Sequence, residues 1–545
     1  MPPLNGDGPE PARRSSLAAA VGVGLLVFVT YFLAARDIAP GWDEGYTWDR
    51  IMNFGPWFTA WLQPGVDVGS QFTKEMMFYR WPFSREEPDG HGPFYALLSY
   101  FGHVSTSSFL PELMSYRIGS ITLFAIACAA LFRTLANRWG YGPASVAIIL
   151  LATQPRLTPE ICFGVVDGPL VSISILAFCG FLSALERPTF WRIAGFGVPA
   201  GCAMATKLTG WVLLGPYLAF LLLQVLPIWP SESKRLFRTL AIVVFGLLIA
   251  AATCFFINVS WWHDPVTGIK AFFESNLTRE KTTKIPNFFM GETYTFALPW
   301  YNTLVWTAVA MSPGTLLLGV LGLFGTLWRR TPESVLAALI WLAIMVVRAL
   351  PQAPGHDGVR QIIIAFAFLS ILSGEGVLFV QRTVGRWLAI LLGLAAIGIS
   401  TFGNVLHHPV QLSYFSPVVG TLKEAHKRFE PTYFWDAMTP GAIKFLNENT
   451  SGGRSSILFS SNPKNWVYLH RWGTLKHPPH NPADQMLQPK WFVLQHRTGM
   501  LRNRDRWLIE HEEPAYRVSK FGVPLVSIYT IEQYDKARRE APDDK

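Results

Sequence analysis

About eleven apolar stretches, near 17–35, 116–134, 143–157, 166–185, 192–207, 209–226, 238–257, 303–327, 334–350, 361–380 and 387–405, dominate the first three quarters of this 545-residue chain. Most approach the ~20 residues an α-helix needs to cross the hydrocarbon core of a bilayer. Within lipid, every backbone N–H and C=O must be satisfied inside the protein, which leaves a bundle of membrane-spanning helices as the fold. Composition agrees: 15% of the residues are charged, against ~25% in ordinary soluble domains. The expected fold class is a polytopic α-helical membrane protein, and a single soluble enzyme or a disordered scaffold is excluded.

The net charge of +9 invites a nucleic-acid reading. Many of the basic residues, however, fall in short runs between apolar stretches, where they orient helices. With the N-terminus in the cytoplasm, the inner connections carry Arg13/Arg14, Arg133/Arg138, Arg187/Arg192, Lys234/Arg235/Arg238, Arg329/Arg330 and Arg382/Arg386. Each pairs at least two cations with few acids, as the positive-inside rule requires. No nucleic-acid partner is expected; the bilayer is. The five cysteines lie in or beside apolar stretches without metal spacing and read as small core hydrophobes.

This topology divides the chain into a tail (1–15), a transmembrane domain (16–405) with outer loops at 37–115 and 258–302, and an outer C-terminal region (406–545). The loops are dense in aromatics, among them Trp42, Trp48, Trp57, Trp61, Trp81, Trp261, Trp262, Trp300 and Tyr301. Such residues suggest segments lying along the interface, and most of them read as belt residues that anchor helices. From about residue 438 the pattern changes. Thr439-Pro440 opens a short helix that ends near Gly452, and Ser456–Ser460, Trp491–Gln495 and Val523–Ile531 read as strands of a small α/β domain.

Candidate chemistry clusters at the outer ends of the spans. Asp43-Glu44 follows the first span directly. If Pro40-Gly41 opens an interfacial helix, the helix dipole keeps Asp43 ionised, which suits a general base; a solvated cap is the other reading. In the loop Arg85–Tyr95, acids including Glu87 precede His91. These donor types suit a divalent cation, but without fixed spacing no metal is assigned. Asp167 begins a span at its outer end. Lys207 sits in a tight connection between two spans, where a lone cation needs an anion or snorkels outward; a lipid phosphate is one such anion. Arg360, in Gly355-His356-Asp357-Gly358-Val359-Arg360, is a cation on the outer side with Arg348 nearby, and the pair can clamp a phosphate.

The chain resembles glycosyltransferase family 39-like enzymes of the GT-C superfamily. The resemblance is carried in order by Asp43-Glu44, the Arg85–Tyr95 loop, Leu298-Pro299-Trp300-Tyr301, His356-Asp357-Gly358-Val359-Arg360-Gln361 and His408–Phe415, up to about residue 440. The family often has His-Pro-Pro where this chain has His91-Gly92-Pro93, and glycine allows more backbone freedom at that turn. The resemblance implies a GT-C-like fold and an inverting transferase that moves a sugar from a polyprenyl-phosphate donor to an acceptor hydroxyl of protein, lipid or glycan. It makes Asp43 the general base, with Glu44 its companion. Lys207 and Arg360 would stabilise the phosphate, Asp167 would position a substrate, and Trp300/Tyr301 would line a lipid or sugar groove. Glu87, His91, His356 and Asp357 join them as substrate-binding candidates. A divalent metal is not required throughout the family. The likeness to bacterial members implies an inner membrane with the C-terminal domain in the periplasm. The competing readings are a lipid or solute transporter, whose site would lie near the bilayer midplane, and an envelope polymer ligase or polymerase.

Overall fold

The computed structural model describes residues 10–82, 91–226, 233–282, 284–461, 463–484 and 486–543. All the apolar stretches are helical over most of their length. Among the described residues, six helices are long and apolar enough to cross a membrane: Ser16–Ala35, Glu112–Trp139, Asp167–Glu186, Lys234–Ile257, Gly358–Thr383 and Arg386–His407. The expected single span at 303–327 is two helices, Asn302–Ala310 and Pro313–Arg329. Pro313 has no N–H to continue the first helix but suits the first turn of the second. Similarly, the stretch at 143–157 stops being helical at Ala152, shortly before Pro155.

Burial separates centre from rim. The Gly358–Thr383 helix is 94% buried over its apolar window, whereas Ser16–Ala35 is 22% and Arg386–His407 is 28% buried. The first therefore forms the hub and the others present Leu25, Leu26, Phe402 and similar side chains outward. Gly319, Gly322 and Gly325 lie against the hub helix, where small residues let backbones approach. On the face away from the C-terminal domain, Arg138 pairs with Glu186 at 2.5 Å and Arg329 with Glu375 at 2.9 Å.

The opposite face carries a second layer. Helices Trp42–Ala60, Lys74–Arg80 and Phe94–Thr106 enclose an aromatic core. Trp48, Trp57, Trp81 and Trp261 are at most 2% exposed, which corrects the belt reading for these four. Trp57 and Trp81 pack on each other, Trp57 also on Phe72, and Phe54 stacks on Trp81 at 4.7 Å; Trp48 packs on Tyr116, Tyr468 and Trp472, and Trp261 on Phe272. Burying a large apolar side chain stabilises by about 1.5–3 kcal/mol, so this layer has a core of its own. Trp61 and Trp300 do remain exposed.

One ion pair fixes this layer to the spans. Glu44 accepts from Arg117 Nε at 2.8 Å and Nη2 at 2.6 Å, and from the Gly41 and Gly164 amides at 2.9 and 3.2 Å. Arg117 also donates to the carbonyls of Ala35, Ile38 and Ala39, the orphan acceptors where the first span ends.

Strands β1 (Asn287–Phe289) and β2 (Glu292–Tyr294) form a hairpin in the connection at 258–302. The C-terminal domain holds β3 (Ser455–Phe459), β4 (Gln488–Gln495), β5 (Tyr516–Lys520) and β6 (Val523–Thr530) in the order β3-β4-β6-β5, with β3 and β4 parallel and the other pairings antiparallel. The three expected strands are present. β5, unanticipated, is a half-exposed edge strand bearing Arg517 and Lys520, charges that blunt an edge and mask its pattern. The domain docks on the Trp42–Ala60 helix: Asn465 donates to the Pro40 carbonyl at 3.2 Å, Tyr468 reaches Asp49 at 3.3 Å, and Lys464 pairs with Asp49.

Replacing Glu44 with Ala should leave Arg117 buried and unpaired, a loss on the order of 3–5 kcal/mol. Thermal unfolding of the purified protein in detergent checks this, and an unchanged midpoint would remove the pair as the anchor of the outer layer.

Candidate functional site

Three segments far apart in sequence meet at the end of the hub helix nearer the C-terminal domain. Asp43 is the second residue of the Trp42–Ala60 helix, at its positive end. Asp167 opens the helix Asp167–Glu186. Arg360 lies in a short 3₁₀ turn, Gly358–Ile362, that leads into the hub helix; Asp357 precedes it in the left-handed region at φ 66°. The Arg360 guanidinium bonds both Asp43 and Asp167, lies 3.5 Å from Asp357, and stacks 4.5 Å above the Phe434 ring. Lys207, extended between two short helices, donates to the second Asp167 oxygen at 3.0 Å.

These groups are nearly sealed from solvent, with one exception. The side chains of Asp167 and Asp357 are 3% and 6% exposed, and that of Asp43 is 30% exposed. Burial raises the Asp43 pKa above the ordinary aspartate value, with Asp357 and Asp167 adding to it, against the pull of Arg360. Asp357 moves the other way: burial would raise it, but His356, Arg497 and Arg360 together hold it low.

A cationic wall faces the acids. His91 Nε2 lies 3.5 Å from Arg279, and burial followed by the charges of Arg279, Lys207, Arg50 and Arg360 holds the imidazole neutral well below its usual pKa. Arg50 bonds the Tyr95 hydroxyl, and Arg348 donates to the Gln361 carbonyl at 3.1 Å. The His91 turn depends on its glycine. Gly92 donates to the Thr206 carbonyl at 3.2 Å, and a Cβ there would lie 2.1 Å from the Ala205 oxygen. The departure from His-Pro-Pro thus serves a close backbone approach beside Lys207.

Of the residues singled out from the sequence, Asp43, Asp167, Lys207, Arg360, Asp357, His356 and His91 converge. Glu44 does not: both its oxygens are turned to Arg117 and backbone amides, fully buried, away from the cluster. Trp300 and Tyr301 also stand apart. They are 70% and 38% exposed and pack on each other, with Tyr301 against Phe289. Glu87 lies outside the described residues. Among the described residues no group of three or more His, Cys, Asp or Glu is arranged to hold a metal ion.

Two members were not anticipated. Glu160, 2% exposed with Oε1 unpartnered among the described residues, sits within the fields of Arg360, Asp167 and Asp43; burial first, then those acids, push it up to about 8. An acid in the short link between two spans was its available signal. Arg497, from the C-terminal domain, reaches into the membrane domain to bond Asp357 at 3.1 Å. No local motif marks it.

No protein-family model and no curated protein matches the sequence. Solved structures do match. ArnT from Cupriavidus metallidurans, bound to undecaprenyl phosphate, aligns at a TM-score of 0.50 with 14% identity, covering 94% of this chain and 97% of that one. The apo state of ArnT gives 0.49, 13%, 96% and 99%. The archaeal oligosaccharyltransferase AglB from Archaeoglobus fulgidus, in complex with an inhibitory peptide and a dolichol-phosphate, gives 0.47, 14%, 87% and 69%. The near-complete mutual coverage with ArnT shows a shared fold, a bundle of apolar helices carrying a small C-terminal sheet domain.

Arg497→Met should strip Asp357 of one of its cations and loosen the seat of the C-terminal domain. Faster protease nicking between the last span and that domain, compared with wild type, is the expected result. Identical digestion would show that the domain is held without this bond.

Proposed function

We propose that the chain is a membrane glycosyltransferase that moves a sugar from a polyprenyl-phosphate donor to an acceptor hydroxyl, with inversion, at the membrane face bearing the C-terminal domain. In the orientation set by the positive-inside charges, that face is the periplasmic side of a bacterial inner membrane. The observation that carries the reading is the placement of Asp43. Of the acids gathered around Arg360, it is the one open to solvent, it sits at the level where a span ends, and a wall of cations faces it, Lys207 and Arg50 buried and Arg279 and Arg348 half-buried. The fold shared with a protein solved bound to undecaprenyl phosphate supports the lipid-phosphate donor. A midplane site, as a transporter would place it, is disfavoured because the charged groups sit at helix ends.

In this mechanism Asp43 accepts the proton of the acceptor hydroxyl as its oxygen bonds to the anomeric carbon. The bond from that carbon to the phosphate oxygen breaks on the opposite face, and the lipid phosphate leaves with the electron pair. Arg279, Lys207 and Arg348, together with Arg360, offer positive charge for the oxygen that becomes anionic; preorganised donors of this kind are worth about 10²–10³ in rate each. A neutral His91 can hydrogen-bond a phosphate oxygen without adding a charge to an already cationic wall. Asp167 holds Lys207 and Arg360 in place. Asp357, itself held by Arg497, does the same for Arg360.

Transfer of radiolabelled sugar from a panel of polyprenyl-phosphate sugars, with the purified protein in lipid and a membrane extract as acceptor, tests this directly. Label should move with wild type and not with Asp43→Asn; near-normal turnover by the variant would remove Asp43 as base. Lys207→Ala should impair donor use more than acceptor use, and equal effects would leave the lysine a structural role. Since the base acts deprotonated and burial raises its pKa, activity should fall with decreasing pH at values above the ordinary aspartate range. An acid limb in that ordinary range, or none, would contradict the assignment.

A further inference from the structure

Where the first span meets the C-terminal domain, a pocket of about 380 Å³ opens beside Arg36, Lys444 and Lys476, with Glu448 the acid on its rim. We propose that this pocket binds the phosphate head group of an anionic phospholipid in the leaflet on the side of the C-terminal domain. The site is separate from the Arg360 cluster and independent of the transferase reading.

Depth is the first argument. Ser16–Ala35 comprises 20 residues, about 30 Å of helix and the thickness of the hydrocarbon core. Arg36 is the next residue, its amide still bonded to the Leu33 carbonyl at 3.4 Å, which puts its guanidinium at head-group level. The Pro440–Asn449 helix brings Lys444 to the same place.

Charge is the second. Among the described residues, neither Arg36 nor Lys476 forms a side-chain ion pair, and Asp37, which could have answered Arg36, turns instead to His408 at 3.3 Å. Lys444 has a loose, solvent-exposed partner in Glu448 at 3.8 Å. Three cations thus face one acid. A phosphodiester is the anion this depth supplies, and basic pockets at a membrane surface select such head groups.

Lining chemistry is the third. Beneath the cations lie Ile38, Leu113, Met438 and Leu469, apolar surface suited to the glycerol backbone and the first acyl carbons, which a free anion would leave uncovered. A lipid seated here would touch the first span and the C-terminal domain at once and tie that domain to the bilayer.

The test is native mass spectrometry of the full chain extracted with equal phosphatidylglycerol and phosphatidylcholine. Wild type should retain phosphatidylglycerol preferentially, and the Arg36→Gln/Lys476→Gln variant should lose that preference about tenfold. The charge-conserving Arg36→Lys/Lys476→Arg variant should keep it, which separates lost charge from misfolding, and Asp43→Asn should keep it too. Lys476→Gln alone, a change in an exposed loop of the domain, serves if the double variant does not fold. Equal retention of both lipids by wild type, or an unchanged preference in the glutamine variants, would overturn the proposal. Displacement of phosphatidylglycerol by millimolar inorganic phosphate would do the same, by assigning the pocket to a soluble anion.

Discussion

Arg360 draws Asp43 and Asp167 to itself across sequence separations of 317 and 193 residues. A guanidinium this deeply buried is tolerated only where several carboxylates answer it, and here they come from the first outer helix, the third long span and the turn before the hub helix. The first two of these elements are therefore positioned by a charge they do not own. Any rotation of the hub helix, or any slip of the Trp42–Ala60 helix along the membrane surface, would leave acids unpaired in a low-dielectric setting. The cluster specifies how the layers meet as much as it supplies chemistry.

Its electrostatics also separate acids that look alike in sequence. Asp167, between Lys207 and Arg360, has both oxygens taken. Asp43 has one cation and a path to solvent, and Glu160 has no side-chain partner among the described residues and is pushed up to about 8. A carboxylate held as a counter-ion, one open to exchange and one favoured in its protonated form are three different tools made from one functional group.

Much of the helical architecture was legible because lipid imposes it: backbone groups must be satisfied within the chain, so apolar length marks the helices. Strands β3, β4 and β6 showed for the analogous reason that each carries an apolar run. Legibility failed where a residue's meaning depends on a partner far along the chain. Trp48, Trp57 and Trp81 look like interfacial aromatics until Tyr468 and Trp472 pack on the first, Phe72 on the second and Phe54 on the third. Glu44 looks like the twin of Asp43, yet one helical step turns it toward Arg117, and adjacent acids on a helix face different neighbours. Arg497 sits in ordinary polar sequence and is recognised only once the C-terminal domain is folded against Asp357. The interruption at Pro313 was readable in principle; the apolar composition on both sides concealed it.

The close seat of the C-terminal domain bears on how the molecule is made. At Gly45 the backbone of Asn465 comes so near that a single added carbon would lie 2.2 Å from its nitrogen, and Arg497 follows further along the same domain. A ribosome that has delivered every span has therefore delivered a bundle whose acidic cluster still lacks one of its cations and whose first outer helix is uncovered on one side. Completion waits for the last stretch of chain to fold against the bundle, so that the site is assembled last of all, and a chain stalled or cut short after the final span keeps its place in the bilayer with the site unfinished.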